Sequence, residues 1–397
     1  MFDQFGEWFR GRYLRPIARE TFERERARLL ERTPVPVFWL FGKTGSGKTS
    51  IIKYLTGAEH AQIGNGFRPE TRSSFKYLFP SPENPLLEFL DTRGLGEIGY
   101  DPAEDIARFD HSTHLMIVTA RVMDHALEPV IEPLRKIRKA KPDRPIVLAL
   151  TTLHQAYPQQ QHLSPDPFEE GGDLESVPDD LKRSLDRQRE QFGGLVDAIV
   201  PIDFTQPIEG FEETTFGGER LKRALIERLP EAYRQTFLTL TDVMDSLRTL
   251  HERRAMPYIL SASTMAATAA AVPLPWIDIP VVAGIQSELI RRLATMYGQR
   301  FNVQQFMRVA GAVGGRLVIR QAVRASLKVI PGVGQAANAA LAFAATYALG
   351  EACCWYYGEY LAGHAPTPAE LREVFKQQQV RAAELWQRHH QPEAARP

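Results

Sequence analysis

The chain has 397 residues, 44% of them hydrophobic and 24% charged, and its formal net charge is zero. That length and composition suit a globular protein of two or three domains, and zero net charge offers no general attraction to nucleic acid, so no nucleic-acid partner is expected. The two cysteines, Cys353 and Cys354, are adjacent, which excludes a zinc knuckle and suits a reducing compartment.

Residues 1–33 read as a helical arm with Phe2, Phe5, Phe9 and Tyr13 near one face. An interfacial membrane helix and an arm docked on another domain both fit. Glu alternates with Arg through residues 20–32, which favours the solvated, docked arm. The opening Met1-Phe2-Asp3-Gln4-Phe5 has an early acid and no apolar h-region, so no cleaved signal peptide is expected.

Residues 34–230 alternate short apolar runs with helical stretches. The first run, residues 35–41, leads into Gly42-Lys43-Thr44-Gly45-Ser46-Gly47-Lys48-Thr49, a phosphate-binding loop of the form G-x-x-x-x-G-K-T, and then into a helical stretch from Ser50. Strand, glycine loop and helix in that order let backbone N–H groups and the positive helix end surround phosphate oxygens. Residues 42–50 are therefore the expected nucleotide-binding segment, with Lys48 reaching the β and γ phosphates and the Thr49 hydroxyl on Mg²⁺. Further strands are expected at 75–79, 86–90, 115–118, 145–150 and 198–202, with a helix ending over 134–139. Short continuous apolar runs separated by helices predict an α/β domain, its mostly parallel sheet covered by helices on both faces. Residues 155–180, rich in Gln, Pro and acids, read as a surface insertion.

A connecting helix is expected over 231–255, and beyond it the character changes to an all-α domain of apolar helical hairpins over 256–362. Residues 255–277 and 329–350 carry no charge, and each is about the length that could span a bilayer. Pro273 and Pro275 break the first, Pro331-Gly332-Val333-Gly334 breaks the second, and both are rich in Ala, Gly, Ser and Thr. Such runs bury well in a bundle and insert weakly into lipid. A buried bundle and peripheral contact with the cytoplasmic membrane both stay open, within a cytoplasmic localisation. Residues 277–297 carry Asp278, Glu288, Arg291 and Arg292 and read as amphipathic. In the last segment, 363–397, Thr367-Pro368-Ala369-Glu370 predicts a capped helix start.

Asp91-Thr92-Arg93-Gly94 closes a strand about forty residues after the loop and has the form D-x-x-G. An acid there can hold Mg²⁺ opposite Thr49, and Gly94 lets its N–H approach the γ-phosphate. Between loop and strand, Thr71 stands where a threonine could complete the Mg²⁺ shell and sense that phosphate. The candidate metal ligands are thus Thr49, Thr71 and Asp91, and the candidate catalytic residues Lys48 and Thr71. His111, His114 and His125 cluster without metal-ligand spacing.

On these motifs residues 35–230 resemble a translation-factor-class GTPase of the Era and MnmE kind, and the loop and Asp91–Gly94 are similar to those of immunity-related, dynamin-like GTPases. Residues 256–360, above all Val272-Pro273-Leu274-Pro275-Trp276-Ile277-Asp278-Ile279-Pro280, resemble a bacterial helical domain of unknown function that accompanies some of them. The resemblance implies GTP and GDP as ligands, Mg²⁺ as cofactor and slow hydrolysis acting as a switch. Three departures qualify it. Where [NT]-K-x-D specifies guanine the chain has Thr151-Thr152-Leu153-His154, so Thr152 and His154 are the residues placed at the base, and His154 cannot replace both acceptors of the usual Asp. Asp203, in the segment where Ser-Ala-Lys is usual, could contact the base or cap a turn. Leu95 stands where many GTPases orient water with Gln, and Gly45 replaces the Asn that binds K⁺ in some, leaving Arg68, Arg72 and Arg93 as candidate arginine fingers. Arg93 itself replaces a commoner Pro.

The leading expectation is a GTP-hydrolysing switch acting on a helical domain that meets a membrane surface or a partner helix through residues 256–360. A homodimer through the G domain, a scaffold that binds nucleotide with negligible hydrolysis, and an RNA-modification or ribosome-assembly GTPase are the alternatives.

Overall fold

The computed structural model describes residues 19–58, 67–69, 74–92, 109, 112–157, 161–246, 250–271, 278–299, 333–361, 363–364 and 366–390. Its contacts divide the chain into two units, one of residues 35–241 and one of residues 1–34 with 242–397.

The first unit is built on a seven-stranded sheet. In chain order its strands are β1 (Val37–Phe41), β2 (Phe67–Pro69), β3 (Ser74–Phe79), β4 (Leu87–Thr92), β5 (Leu115–Arg121), β6 (Ile146–Thr151) and β7 (Ala198–Pro201). The spatial order is β2-β3-β4-β1-β5-β6-β7. The pairs β4·β1, β1·β5, β5·β6 and β6·β7 are parallel, and β3 runs antiparallel to both its neighbours. The chain leaves β1 for one side of the sheet, then crosses to β5 on the other, so the switch of direction falls beside β1. Ligands of open α/β sheets bind outside the carboxyl ends of the strands at such a point.

Every side chain of β1 is buried, as a strand covered on both faces requires. Trp39 and Phe41 point into a core shared with Met116, Val118, Leu148 and Leu150. That face is covered by α2 (Glu128–Ala140), through Val130, Ile131, Leu134 and Ile137, and by α3 (Asp179–Gln191), through Leu181 and Leu185. On the other face Phe38 stacks on Phe89 at 5.6 Å and meets Phe237 of α4 (Glu231–Ser246) edge-on at 5.5 Å. Two further helices, α5 (Lys48–Thr56) and α6 (Gly218–Arg228), pack together so closely that a side chain at Gly218 would meet the Tyr54 ring at 2.3 Å. A two-stranded ribbon, β8 (Asp203–Phe204) with β9 (Thr215–Phe216), follows β7.

His114 is a structural histidine. Its Nδ1 accepts the Val37 N–H at 3.0 Å, its ring stacks on Tyr233 at 3.6 Å, and burial pushes its pKa down. His125 stands beside Ser184, whose Oγ lies 3.4 Å from Nε2, and among the described residues no group of side chains is arranged to hold a metal ion by histidines, cysteines and acids.

The second unit contains α7 (Arg19–Arg32), α8 (Leu250–Ala271), α9 (Asp278–Met296), α10 (Val333–Leu361) and α11 (Pro368–His390). The expected connecting helix over 231–255 falls on α4, described to Ser246, and on α8, described from Leu250, with residues 247–249 outside the described residues. Small residues let the helices approach: a side chain at Gly350 of α10 would lie 2.7 Å from Ile259 of α8, and one at Gly284 of α9 would lie 2.5 Å from Phe22 of α7. Gln286 donates to Thr346 at 3.0 Å, Arg26 reaches Glu288 at 3.2 Å, and Phe343 packs on Trp386 at 5.0 Å. The expected helix cap is present: Thr367 N–H donates to Glu370 Oε2 at 2.7 Å, and Glu370 N–H donates to Thr367 Oγ1 at 3.3 Å. The described stretches include no helix long and apolar enough to cross a membrane. The aromatic face at residues 2–13, the turn at 272–277 and the segment before Val333 lie outside the described residues.

Candidate functional site

The parallel register brings four strand ends together. Asp91 of β4 lies beside Leu40 of β1, Phe41 beside Val118 of β5, and Arg121 beside Thr151 of β6. Over these ends runs the loop from β1 to α5. Gly45 (φ +73°) and Gly47 (φ +95°) adopt left-handed backbone, which glycine takes without steric cost. At Gly42 the need is space, since a Cβ would lie 2.2 Å from Thr119 Oγ1 and 2.4 Å from Thr119 O.

Several side chains fasten the loop. Ser46 Oγ lies 2.6 Å from Thr119 Oγ1, Thr151 Oγ1 donates to Ser46 O at 3.0 Å, and Arg121 Nε donates to Gly45 O at 2.9 Å. Lys43 Nζ donates to Asp124 at 2.8 Å and to Ala126 O at 2.6 Å. Burial raises the Asp124 pKa, but the bonds from Lys43 and the Ala126 N–H, with the charges of Lys43 and Arg121, outweigh it and hold the carboxyl below its ordinary value. Lys48 is buried and folds back on the loop, donating to Gly42 O at 2.6 Å and Lys43 O at 3.0 Å, with Asp91 Oδ1 3.8 Å away.

The loop opens on a cavity of about 400 Å³ lined by Thr44, Gly45, Gly47, Lys48, Thr49, Ser50, Asp91, Thr151, Thr152, Ile202 and Phe204. Eight of the residues expected from sequence therefore meet in one place: Thr44, Gly45, Gly47, Lys48, Thr49, Ser50, Asp91 and Thr152. Gly42, Lys43 and Ser46 stand behind the wall as its supports. Thr71, Arg72, Arg93, Gly94 and Leu95 lie outside the described residues, as does the Arg68 side chain.

The expected base residue His154 does not line the cavity, and of the two roles open to Asp203, a base contact or a turn cap, Asp203 shows the second, accepting a backbone N–H of the turn after Thr152. It is fully buried and does not line the cavity. Its carboxylate accepts from the His154 N–H at 2.7 Å, lies 2.8 Å from His154 Nδ1, and accepts from the Tyr157 hydroxyl at 3.4 Å. Burial, then the Asp203 charge, push the Tyr157 pKa up. Ile202 and Phe204, on either side of Asp203 in sequence, form an apolar wall of the cavity, and the Phe204 ring leans on Tyr54 at 4.7 Å.

Sequence reasoning missed Arg121, Phe204 and the Asp203–His154 pair. Arg121 follows an apolar run as any surface arginine might, and its partner Gly45 is 76 residues away. Asp203 drew notice, but its pairing with His154 was not foreseen.

The model of a domain of unknown function, DUF697, matches residues 238–391, a wider span than the 256–360 whose resemblance the sequence suggested. No curated protein is matched by the chain. Among solved structures it is similar to the bacterial selenocysteine-specific elongation factor EF-Sec, at 17% identity over 55% of this chain and 30% of that one, with a TM-score of 0.30. It is similar also to the G domain of the T. maritima FeoB iron transporter, at 17% identity over 49% of this chain and 98% of that one, TM-score 0.28. A mutant of S. thermophilus NFeoB bound to GMPPNP gives 15% identity over 67% of this chain and 93% of that one, TM-score 0.29. The chain thus spans about a third of the elongation factor's length. At such scores these superpositions carry no argument, so the P-loop α/β fold is established by strand order and loop geometry, and residues 238–391 match DUF697.

Proposed function

We propose that the chain binds GTP with Mg²⁺, hydrolyses it slowly, and uses the nucleotide state to switch the helical region matched over residues 238–391. The observation that carries this reading is the convergence of Lys48, Thr49 and Asp91 on one cavity at the switch point of the sheet. The loop glycines and the start of α5 aim backbone N–H groups and a positive helix end at an anion. Lys48 would leave the Gly42 and Lys43 carbonyls for the β and γ phosphates, so the loop presents a buried cation in its resting place. Thr49 and Asp91 supply the hard oxygen donors that Mg²⁺ takes. When bound, that ion neutralises charge on the β and γ oxygens. Thr71 and Gly94 are proposed to close over the γ-phosphate and to be released on hydrolysis. Among the described arginines, Arg121 is bonded to the carbonyl of cavity-lining Gly45 and would meet charge developing on the phosphates. The helical region would pass the switch to a membrane surface or a partner helix.

The test is titration of labelled GTP into wild type and Lys48→Ala with Mg²⁺, followed by single-turnover hydrolysis with and without liposomes. Loss of roughly 100-fold or more in affinity is expected on removing a buried phosphate-binding charge. Unchanged affinity in Lys48→Ala would sink the assignment.

A further inference from the structure

Behind the Thr152 end of the cavity, outside its lining, stands a pair of side chains in a defined geometry that the phosphate chemistry does not use, His154 and Asp203. After β6 the chain turns through Thr152, whose φ of +57° puts a β-branched residue in left-handed backbone. Such strain persists where surrounding contacts impose it. Here the next turn, Leu153–Ala156, is gripped by Asp203, which takes both the backbone N–H and the imidazole of His154. Nδ1 of that ring lies 2.8 and 2.9 Å from the two carboxylate oxygens. A carboxylate only accepts, so Nδ1 carries the hydrogen, and in the tautomer that this bond selects Nε2 holds the lone pair. The other neighbours are Tyr157, His162 (Nδ1 3.7 Å from Asp203) and the Phe211 ring, tilted at 5.4 Å. About a quarter of the His154 side chain is exposed (24%), and Asp203 is fully buried (0%). The pair sits between cavity-lining residues, Thr152 on one segment and Ile202 and Phe204 on the other.

Resting on the GTP-binding reading above, we propose that His154 reads the purine through Nε2, accepting the N1–H, with Asp203 as the positioning residue. The purine ring lies against Phe204, and the site takes hypoxanthine nucleotides as readily as guanine nucleotides while rejecting adenine. The chemistry follows from counting donors. Guanine shows two on that edge, N1–H and the exocyclic amine, and an aspartate accepts both. A single lone pair accepts one. Inosine triphosphate keeps N1–H and lacks only the amine, so it loses nothing at His154. Adenine has no hydrogen on N1, and its lone pair would face that of Nε2. A site whose polar group is left unpaired discriminates strongly.

Calorimetric titration of GTP, ITP and ATP with Mg²⁺ into wild type, His154→Asp and Asp203→Asn tests this. In wild type, ITP should bind within about threefold of GTP and ATP roughly tenfold or more weaker. His154→Asp, which restores a double acceptor, should open the GTP-to-ITP ratio to about tenfold or more. Asp203→Asn, which unfixes the tautomer, should narrow the gap between GTP and ATP, a change that general loosening of the fold would not produce. Wild-type preference for GTP over ITP of about thirtyfold or more overturns the proposal and leaves GTP binding standing. No binding of any of the three nucleotides overturns both.

Discussion

Replacing Gly42 by alanine puts the closest approach in the phosphate loop to the test. The added Cβ would lie 2.2 Å from Thr119 Oγ1, 2.4 Å from Thr119 O and 2.8 Å from Ser46 Oγ. Carbon and its neighbours rest at roughly 3.5 Å, so something must retreat by about 1 Å. The obstacle is the backbone of β5, whose Thr119 is in register with Ala149 of β6, so the strand cannot move alone. The hydroxyl that is struck is also the one that Ser46 uses to hold the loop. Overpacking of this kind costs about 1–3 kcal/mol, and a backbone obstacle argues for the upper end. For a unit of 150–250 residues each kcal/mol lowers Tm by about 2–4 °C, so a fall of roughly 6–12 °C is expected. Gly45→Ala is the control. Its φ of +73° costs about 1–2 kcal/mol for a residue with a Cβ, but the nearest atom is Arg121 Nη2 at 2.8 Å, the far end of a flexible side chain. The assay is thermal unfolding of both full-length variants, following the transition that GTP raises, with GTP affinity alongside. A Gly42→Ala protein that melts within a degree or two of wild type, or above Gly45→Ala, would refute the reasoning.

Arg121→Ala should lower single-turnover hydrolysis by about 10²-fold or more with a smaller effect on GTP affinity, and Arg121→Lys should recover little of it, since lysine lacks the planar fork. An unchanged rate would remove Arg121 from the mechanism. In the helical region, burial first, and Glu252 after it, raise the Glu351 pKa against the pull of Arg381, to about 7 from an ordinary 4.5. The folded state therefore binds this proton more tightly than the unfolded one. The stabilisation is complete below the ordinary value and is lost as pH rises to about 7, by roughly 3 kcal/mol. Denaturant unfolding of Glu351→Gln and wild type should diverge between pH 5 and pH 8 in favour of the variant, and a constant difference would contradict the assigned burial.

The phosphate end of the site was legible because its chemistry is local: one strand, nine residues and a helix supply it from adjacent positions. Asp91 was legible for the same reason, as an acid ending an apolar run. The pairing of His154 with Asp203 was not, because the two are 49 residues apart and no periodicity links them. Asp203 could be seen as an acid after a strand, and only tertiary structure says which donor it meets. Strand β2 escaped notice because three residues, Phe67-Arg68-Pro69, are too short for alternation to register. The bond from Trp39 Nε1–H to Thr92 Oγ1, 2.7 Å long and buried, is likewise invisible in spacing, though it ties β1 to the residue after Asp91. For the helical region, composition was compatible with burial through small residues and left membrane contact open. It could not say that Gly350 meets Ile259.

That contact bears on how the region could meet a membrane. Along α10 the apolar residues are spread around the helix, and its neighbours cover it: Ile259 of α8 at Gly350, Gln286 of α9 at Thr346 and Trp386 of α11 at Phe343. Lipid is not needed to satisfy such a helix, and inserting it would mean opening the bundle. Cys353 and Cys354 report on that event. Both are buried, and burial pushes the Cys353 thiol up to about 12 and the Cys354 thiol well above its ordinary value. At neutral pH neither is exposed or ionised, and thiolate is the reactive form. Maleimide should leave the folded protein unlabelled and label it fully in denaturant. It should also leave it unlabelled with GTP and liposomes, because the peripheral contact proposed above would keep the bundle closed. Rapid labelling on adding liposomes would show that α10 leaves the bundle for the bilayer, and the buried-bundle account would fall.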